Sequence, residues 1–333
     1  MKRILRLIAV VVLCAAPAAA QMKTLNGAGA TFPYPIYSKW FDEYHKVKPD
    51  LQINYQSIGS GGGIRQVTER TVDFGATDGP MNSQQQFKVD GKILHIPTVL
   101  GAVVPAYNLK GVEGLKLSGP VLADIFLGKI TRWADPAIAK LNEGAALPDA
   151  AITVVHRSDG SGTTYCWVDY LAKVSSEWKK KVGVATAVNW PVGLGGKGNE
   201  GVAGLVKQTP NALGYVELIY AKQNDIAYAS VQNKAGKFVK ASIEGVTAAA
   251  AGTQMPKDYR VSITDASGET AYPISTFTWL LIYEKNSSDK GAVLRDFLRW
   301  MLKDGQAMAG ALGYAPLPGS VNAMVAKTIE AIK

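Results

Sequence analysis

Residues that build metal and redox centres are scarce in this sequence. There are 2 cysteines and 3 histidines in 333 residues. Cys14 falls in an N-terminal leader, which leaves Cys166 alone and excludes an intramolecular disulfide in the remainder. On an apolar helix face, Cys166 reads as a small buried hydrophobe. His45, His95 and His156 are scattered without metal-ligand spacing, so neither a metal nor another cofactor is expected. Long apolar runs are missing beyond the leader: Val99 to Tyr107 falls far short of the ~20 residues that span a bilayer. No Walker A sequence and no G-x-S-x-G elbow occurs. Repeats, low-complexity tracts and Pro-rich linkers are also absent. Charged residues make up only 19% against 47% hydrophobic, which excludes disorder and permits a large core. The length favours two domains at ~100–200 residues each. Without a linker they are expected to interleave, with the chain crossing at Pro97 to Asn108 and at Tyr272 to Tyr283.

The leader is the first segment with positive content. Lys2, Arg3 and Arg6 precede an apolar run from Leu7 to Ala16, and Ala18-Ala19-Ala20 supplies small residues before Gln21. This is the layout of a secretory signal, residues 1–20, cleaved after Ala20. Leu13 stands where a lipoprotein signal has a small residue, so lipid attachment at Cys14 is not expected. Lys and Arg number 36 against 27 Asp and Glu, a net charge of +9 of which the leader carries three. The basic excess suits an anionic partner without saying which one.

Short strands alternate with helical patterns. Leu51 to Tyr55, Phe74 to Thr77, Ile93 to Val99, Ile152 to Val155 and Phe277 to Tyr283 are rich in β-branched and aromatic residues and predict strands. Tyr37, Trp40, Phe41 and Tyr44 have helical spacing within Pro33 to Val47. Gly61 to Arg70, Gly162 to Lys173, Ser175 to Val182, Asn199 to Lys207 and Lys290 to Lys303 are further helical segments. The alternation predicts an α/β fold with mostly parallel strands.

Three strand-to-helix junctions share one chemistry. They are Gly27-Ala28-Gly29-Ala30-Thr31-Phe32-Pro33, Gly59-Ser60-Gly61-Gly62-Gly63 and Arg157-Ser158-Asp159-Gly160-Ser161-Gly162-Thr163. Each sets small or hydroxyl-bearing residues at a helix start, where backbone N–H groups are unpaired and the dipole favours an anion. Any one of them alone is an ordinary cap or turn. Three in one exported chain point to an oxyanion site. Arg157 adds a planar fork suited to an oxyanion, and Asp159 is near enough in sequence to hold it in place.

Asp78, in Asp73-Phe74-Gly75-Ala76-Thr77-Asp78, is out of place in such a site. It ends a strand, where ligands of open α/β sheets bind. An ionised carboxylate only accepts, so it tolerates an oxyanion that brings a proton and rejects one that does not. Phosphate retains a proton near neutral pH and sulfate does not, so Asp78 selects phosphate; arsenate is harder to exclude. Gly193-Leu194-Gly195-Gly196-Lys197-Gly198 matches G-x-G-x-x-G, but Pro191 spoils a preceding strand and no acidic partner is convincingly placed ~20 residues on. It is expected to be a turn entering a helix.

In order and separation, GAGATFP (Gly27 to Pro33), GSGGG (Gly59 to Gly63), VDFGATD (Val72 to Asp78), RSDGSGT (Arg157 to Thr163) and GLGGKGN (Gly193 to Asn199) resemble the periplasmic phosphate-binding proteins of bacterial ABC phosphate transporters. LGKITRW (Leu127 to Trp133), ALGYVE (Ala212 to Glu217) and YAPLP (Tyr314 to Pro318) extend the likeness over Thr24 to Lys333. The resemblance implies a type II periplasmic-binding fold with a ligand cleft between two lobes, residues 21–104 plus 276–333 and residues 105–275. It implies phosphate held by Thr31 and Phe32 with Ala30 flanking, by Ser60, Asp78 and Arg157, and by Ser161, Gly162 and Thr163, with Asp159 steadying Arg157. It further implies a periplasmic monomer that delivers phosphate to a membrane permease, binds no nucleic acid and is not an enzyme. Gly61, Thr77 and His156 depart from residues common in that family. The competing readings are a binding protein for arsenate, sulfate or molybdate, and a secreted phosphatase on the same fold. For the latter His156 is the only nearby titratable base.

Overall fold

The structure is a computed structural model that describes residues 22–286 and 288–333. The expected leader, its cleavage after Ala20 and Cys14 lie outside the described residues.

Among the described residues nine strands form the main sheet, eight of them in one continuous order: β1 (Lys23–Gly29), β2 (Leu51–Ser57), β3 (Phe74–Thr77), β4 (Ile93–Tyr107), β5 (Thr153–Arg157), β6 (Leu194–Gly196), β7 (Ala212–Glu217) and β8 (Ser275–Tyr283). They are ordered β2-β1-β3-β8-β4-β7-β5-β6, and a short strand at Ala227–Tyr228 also pairs with β4. The two wings are parallel, as expected from the strand–helix alternation: β1 with β2 and β3, and β5 with β6 and β7. The centre is antiparallel instead, because β8 runs against both β3 and β4, and β4 runs against β7.

Where a strand ending at Val99 was expected, β4 continues to Tyr107. Buried on both faces along nearly its whole length, it reads as a continuous apolar run rather than an alternation. Ile93 to Ala102 pair with β8 and Val103 to Tyr107 pair with β7, so one strand changes partner midway. The pairing with β8 slips beside Pro97, between Thr278 and Trp279, and this irregularity accommodates a proline that cannot donate to the ladder. A second correction concerns the glycine-rich Gly193 to Gly198 segment. It was expected to be only a turn, yet it contains β6, which closes one edge of the sheet before the helix begins.

Five helices matter to the site or core: α1 (Tyr34–Val47), α2 (Ser60–Thr68), α3 (Gly162–Val174), α4 (Gly198–Gln208) and α5 (Ser288–Trp300). The spacing seen in the sequence buries Ile36, Tyr37, Trp40, Phe41 and Tyr44 on one face of α1. The helix expected over Lys290 to Lys303 ends early and passes into a π-turn at Met301–Gly305. Trp40 Nε1 donates to the Gly305 carbonyl at 2.8 Å, satisfying an acceptor there. Cys166 is buried on α3. Among the described residues no helix is long and apolar enough to cross a membrane.

Candidate functional site

The glycine-rich junctions, far apart in sequence, meet at the ends of the strands. Gly61 N–H donates to the Gly160 carbonyl at 2.8 Å, and Gly162 N–H donates to Ser60 Oγ at 2.9 Å. Gly198 N–H donates to Asp159 Oδ1 at 3.1 Å. Asn199 Nδ2 reaches both Thr31 Oγ1, at 2.8 Å, and Thr163 Oγ1, at 3.1 Å. The starts of α2, α3 and α4 therefore converge with the turn before α1, which brings their positive dipole ends into one small region.

Close approach here depends on glycine. A Cβ on Gly162 would stand 2.5 Å from Asp78 N, 2.6 Å from Asp78 Oδ2 and 2.6 Å from Ser60 Oγ. Real Cβ atoms do not tolerate such contacts with backbone. Gly162→Ala is therefore expected to push α3 away from Ser60 and Asp78, weakening at least about tenfold the binding of the phosphate that the sequence resemblance implies, with a smaller effect on melting temperature. Titration calorimetry alongside thermal melts checks this. Unchanged affinity would mean the two junctions need not touch.

Thr31, Ser60, Asp78, Arg157, Ser161 and Thr163 are each at most 2% exposed. Their hydroxyls are mostly occupied as acceptors. Thr31 and Thr163 accept from Asn199, and Ser161 Oγ accepts the Thr164 N–H at 3.0 Å as the cap of α3. Ser161 is therefore a cap, and as an acceptor its hydroxyl keeps a proton to donate. Ser60 Oγ accepts from Gly162 N–H and from Asp78 N–H, the latter at 3.3 Å, which leaves its own proton for the Asp78 carboxyl or a ligand. Phe32 is fully buried, and its carbonyl accepts from Tyr314 at 2.6 Å. Ala30 spends both backbone groups on the scaffold, N–H to the Ala76 carbonyl and C=O to the Tyr55 hydroxyl.

Arg157 is held as its sequence context predicts. Its Nε donates to Asp159 Oδ1 at 2.8 Å and its Nη2 to Asp159 Oδ2 at 2.6 Å. Nη1 is buried with no hydrogen-bond partner among the described residues. A bidentate clamp on one edge of the guanidinium leaves the remaining donors fixed in direction. Burial alone raises the Asp159 carboxyl, but the Arg157 bonds and charge, with the Gly198 N–H, outweigh it and hold it below the usual range.

Asp78 has the opposite electrostatics. Burial pushes its carboxyl up to about 7, against the Thr278 hydroxyl, the Arg157 charge and the Ser60 hydroxyl, which all favour the ionised form. Thr278 Oγ1 donates to Asp78 Oδ1 at 2.8 Å. A carboxyl that titrates near neutrality can accept a proton-borne hydrogen bond when ionised and donate one when protonated. His156, by contrast, is not presented as a base. It stacks on Trp190 with centroids 4.7 Å apart, and its Nδ1 lies 3.0 Å from the Arg157 carbonyl.

Several residues in this region escaped the sequence reading. Asn199 closes the GLGGKGN motif, which marks it only as the residue after a glycine run. Thr278 lies in an unbroken buried strand with no local mark of its direction. Tyr220 donates to the Thr31 carbonyl at 2.6 Å, and Tyr215 accepts the Arg157 N–H at 3.1 Å. Such partners come from distant strands and helices, so sequence spacing could not single them out.

A family model described as a PBP superfamily domain matches residues 15–304. The chain is 51% identical to "Phosphate-binding protein PstS" of Pasteurella multocida, covering 90% of this chain and 88% of the relative. It is 41% identical to the protein of the same name from Methanocaldococcus jannaschii, covering 93% and 86%. Among solved structures it is similar to a high affinity periplasmic phosphate-binding protein bound with phosphate, with TM-score 0.75, 21% identity and 91% and 92% of the two chains covered. A phosphate-bound putative phosphate ABC transporter substrate-binding protein from Clostridium perfringens aligns with TM-score 0.66 and 21% identity, over 89% and 100%. At these identities the structural likeness speaks for the fold.

Proposed function

Since the chain belongs to the phosphate-binding proteins of the PBP superfamily and has their type II fold, we propose that it captures inorganic phosphate with high affinity and hands it to the permease of an ABC importer. It works as a periplasmic monomer once its leader is removed, and it has no catalytic activity of its own. Thr31, Phe32, Ser60, Asp78, Arg157, Ser161, Gly162 and Thr163 hold the ligand, Ala30 flanks it and Asp159 steadies Arg157. The two lobes are residues 21–104 plus 276–333 and residues 105–275, and they hinge where β4 exchanges β8 for β7.

One observation carries this reading: buried hydroxyls, the starts of three helices and a guanidinium nitrogen without a partner among the described residues are gathered near the buried Asp78 carboxyl. Donors on nearly every side select an oxyanion, and one acceptor among them selects an oxyanion that carries a proton. Hydrogen bonds to charged groups contribute about 1.5–3 kcal/mol each, and desolvating phosphate and closing the lobes consume most of the sum. A dissociation constant at or below about micromolar follows, about 8 kcal/mol.

The test is calorimetric titration of phosphate-stripped protein. Phosphate is expected to bind tightly and sulfate to stay silent at about pH 8, where Asp78 is ionised. At about pH 5.5 its carboxyl is mostly protonated and can donate to sulfate, so sulfate affinity is expected to gain at least about tenfold. Equal binding of both anions at about pH 8 would leave the cradle standing and remove phosphate from the reading. Steady release of phosphate from a phosphomonoester would overturn the non-catalytic assignment.

A further inference from the structure

Asn199 makes four hydrogen bonds from a position fully buried at the start of α4. Its Oδ1 accepts the Glu217 N–H at 2.9 Å. That bond fixes the orientation of the amide, because the reverse orientation would face the NH2 group against an N–H. Nδ2 must then point at Thr31 Oγ1 and Thr163 Oγ1, at 2.8 and 3.1 Å, and Asn199 N–H adds a further bond to Thr31 Oγ1 at 3.2 Å. Thr31 Oγ1 thus has both lone pairs occupied, and Thr163 Oγ1 has one occupied by the same amide.

A hydroxyl is otherwise ambivalent, since it can turn to donate or to accept. Donating back to Asn199 is impossible here, because its near edge carries only hydrogens. Among the described residues neither threonine hydroxyl donates to a protein acceptor. Resting on the phosphate reading of this site, we propose that Asn199 is a positioning residue that commits the Thr31 and Thr163 hydroxyls to donate to the bound oxyanion. One amide thereby sets the polarity of two ligand contacts that come from two different strand-to-helix junctions. It acts without touching the ligand, by leaving each hydroxyl proton only one direction to serve. The rejection of acceptor-poor ligands follows from the same polarity, and Asp78 then offers a place for a ligand proton.

The test is a double-mutant cycle read by phosphate titration. Asn199→Asp keeps the shape and the acceptor for Glu217 N–H, but it turns the edge facing the threonines from donor to acceptor. Both hydroxyls are then expected to donate to that carboxylate and withdraw from phosphate. In the otherwise unchanged protein Thr163→Val is expected to weaken phosphate binding about tenfold. In the Asn199→Asp background the same change should cost less than about twofold, because the hydroxyl has already turned away. Full additivity, with Thr163→Val still costing about tenfold, would show that the introduced charge merely repels phosphate and would overturn the proposal.

A second measurement does not depend on that variant folding. In the phosphate complex of the unaltered protein, nuclear magnetic resonance should show both threonine hydroxyl protons coupled across hydrogen bonds to phosphorus. Hydroxyl protons found bonded within the protein would overturn the role of Asn199. Failure of the unaltered protein to bind phosphate at all would instead sink the reading of the site, so the two failures are distinguishable.

Discussion

Arg157→Ala is expected to weaken phosphate binding about a thousandfold. Arg157 is 2% exposed and its guanidinium is clamped on one edge by Asp159. Its buried Nη1 lacks a partner among the described residues. The substitution removes the strongest donor in the site and leaves the Asp159 carboxylate, itself largely enclosed, beside an incoming anion. Truncating one partner of a buried, hydrogen-bonded charge contact with a ligand costs about 2–5 kcal/mol of binding, and about 4 kcal/mol is a thousandfold in dissociation constant. Arg157→Lys separates the two contributions: it restores a charge but not the fork, because an ammonium cannot satisfy Asp159 in bidentate fashion and still face a ligand in a fixed direction. Its loss should fall between wild type and alanine. Calorimetric titration of both variants decides the matter, and near wild-type affinity for the alanine variant would place the free edge of Arg157 away from the ligand.

Asp78→Asn is expected to act in two places at once. An asparagine at this position carries a permanent donor, so the penalty against unprotonated anions disappears. Phosphate affinity should fall by no more than about a hundredfold while sulfate affinity rises by at least as much, collapsing the discrimination. The second effect is on the phosphate-free protein. Burial raises the folded-state pKa of Asp78 to about 7 from an unfolded value near 3.8. Between those values the folded state holds a proton that the unfolded state has released, so stability falls as pH rises through this window and the full penalty applies above it. The size of the shift corresponds to on the order of 4 kcal/mol. The Asn variant is free of this penalty. It should be more stable than wild type at about pH 8, with the advantage fading toward about pH 4. Denaturant unfolding across that range in phosphate-free buffer checks the sign, and a gap that widens on acidification would contradict burial as the dominant influence on Asp78.

Much of the site was visible in the chain because helix starts obey local rules. Ser60, Ser161, Gly162 and Thr163 stand where backbone N–H groups have no intrahelical partner, and Thr31 lies just before such a start, so short motifs mark them. The Arg157–Asp159 clamp spans only two residues and was equally legible. Residues that orient these groups were not. Asn199 reaches Thr31 across 168 residues and Thr278 reaches Asp78 across 200. The antiparallel centre of the sheet was also invisible, since the apolar runs of β4 and β8 record burial on both faces but not strand direction. For the same reason β4 looked as though it ended at Val99, and β6 was hidden within a glycine-rich turn.

The sequence by itself determined the helix starts, the apolar face of α1 and the kinds of polar group available to an anion. These follow from backbone geometry and from the inventory of each side chain, which hold wherever the residue is placed. Tertiary structure decided which junctions meet, which way the Thr31 and Thr163 hydroxyls point and where Asp78 titrates. The first depends on strand pairing across the whole chain, and the second on an amide brought in from α4. The third is set by desolvation, a property of everything packed around the carboxyl rather than of its neighbours in sequence.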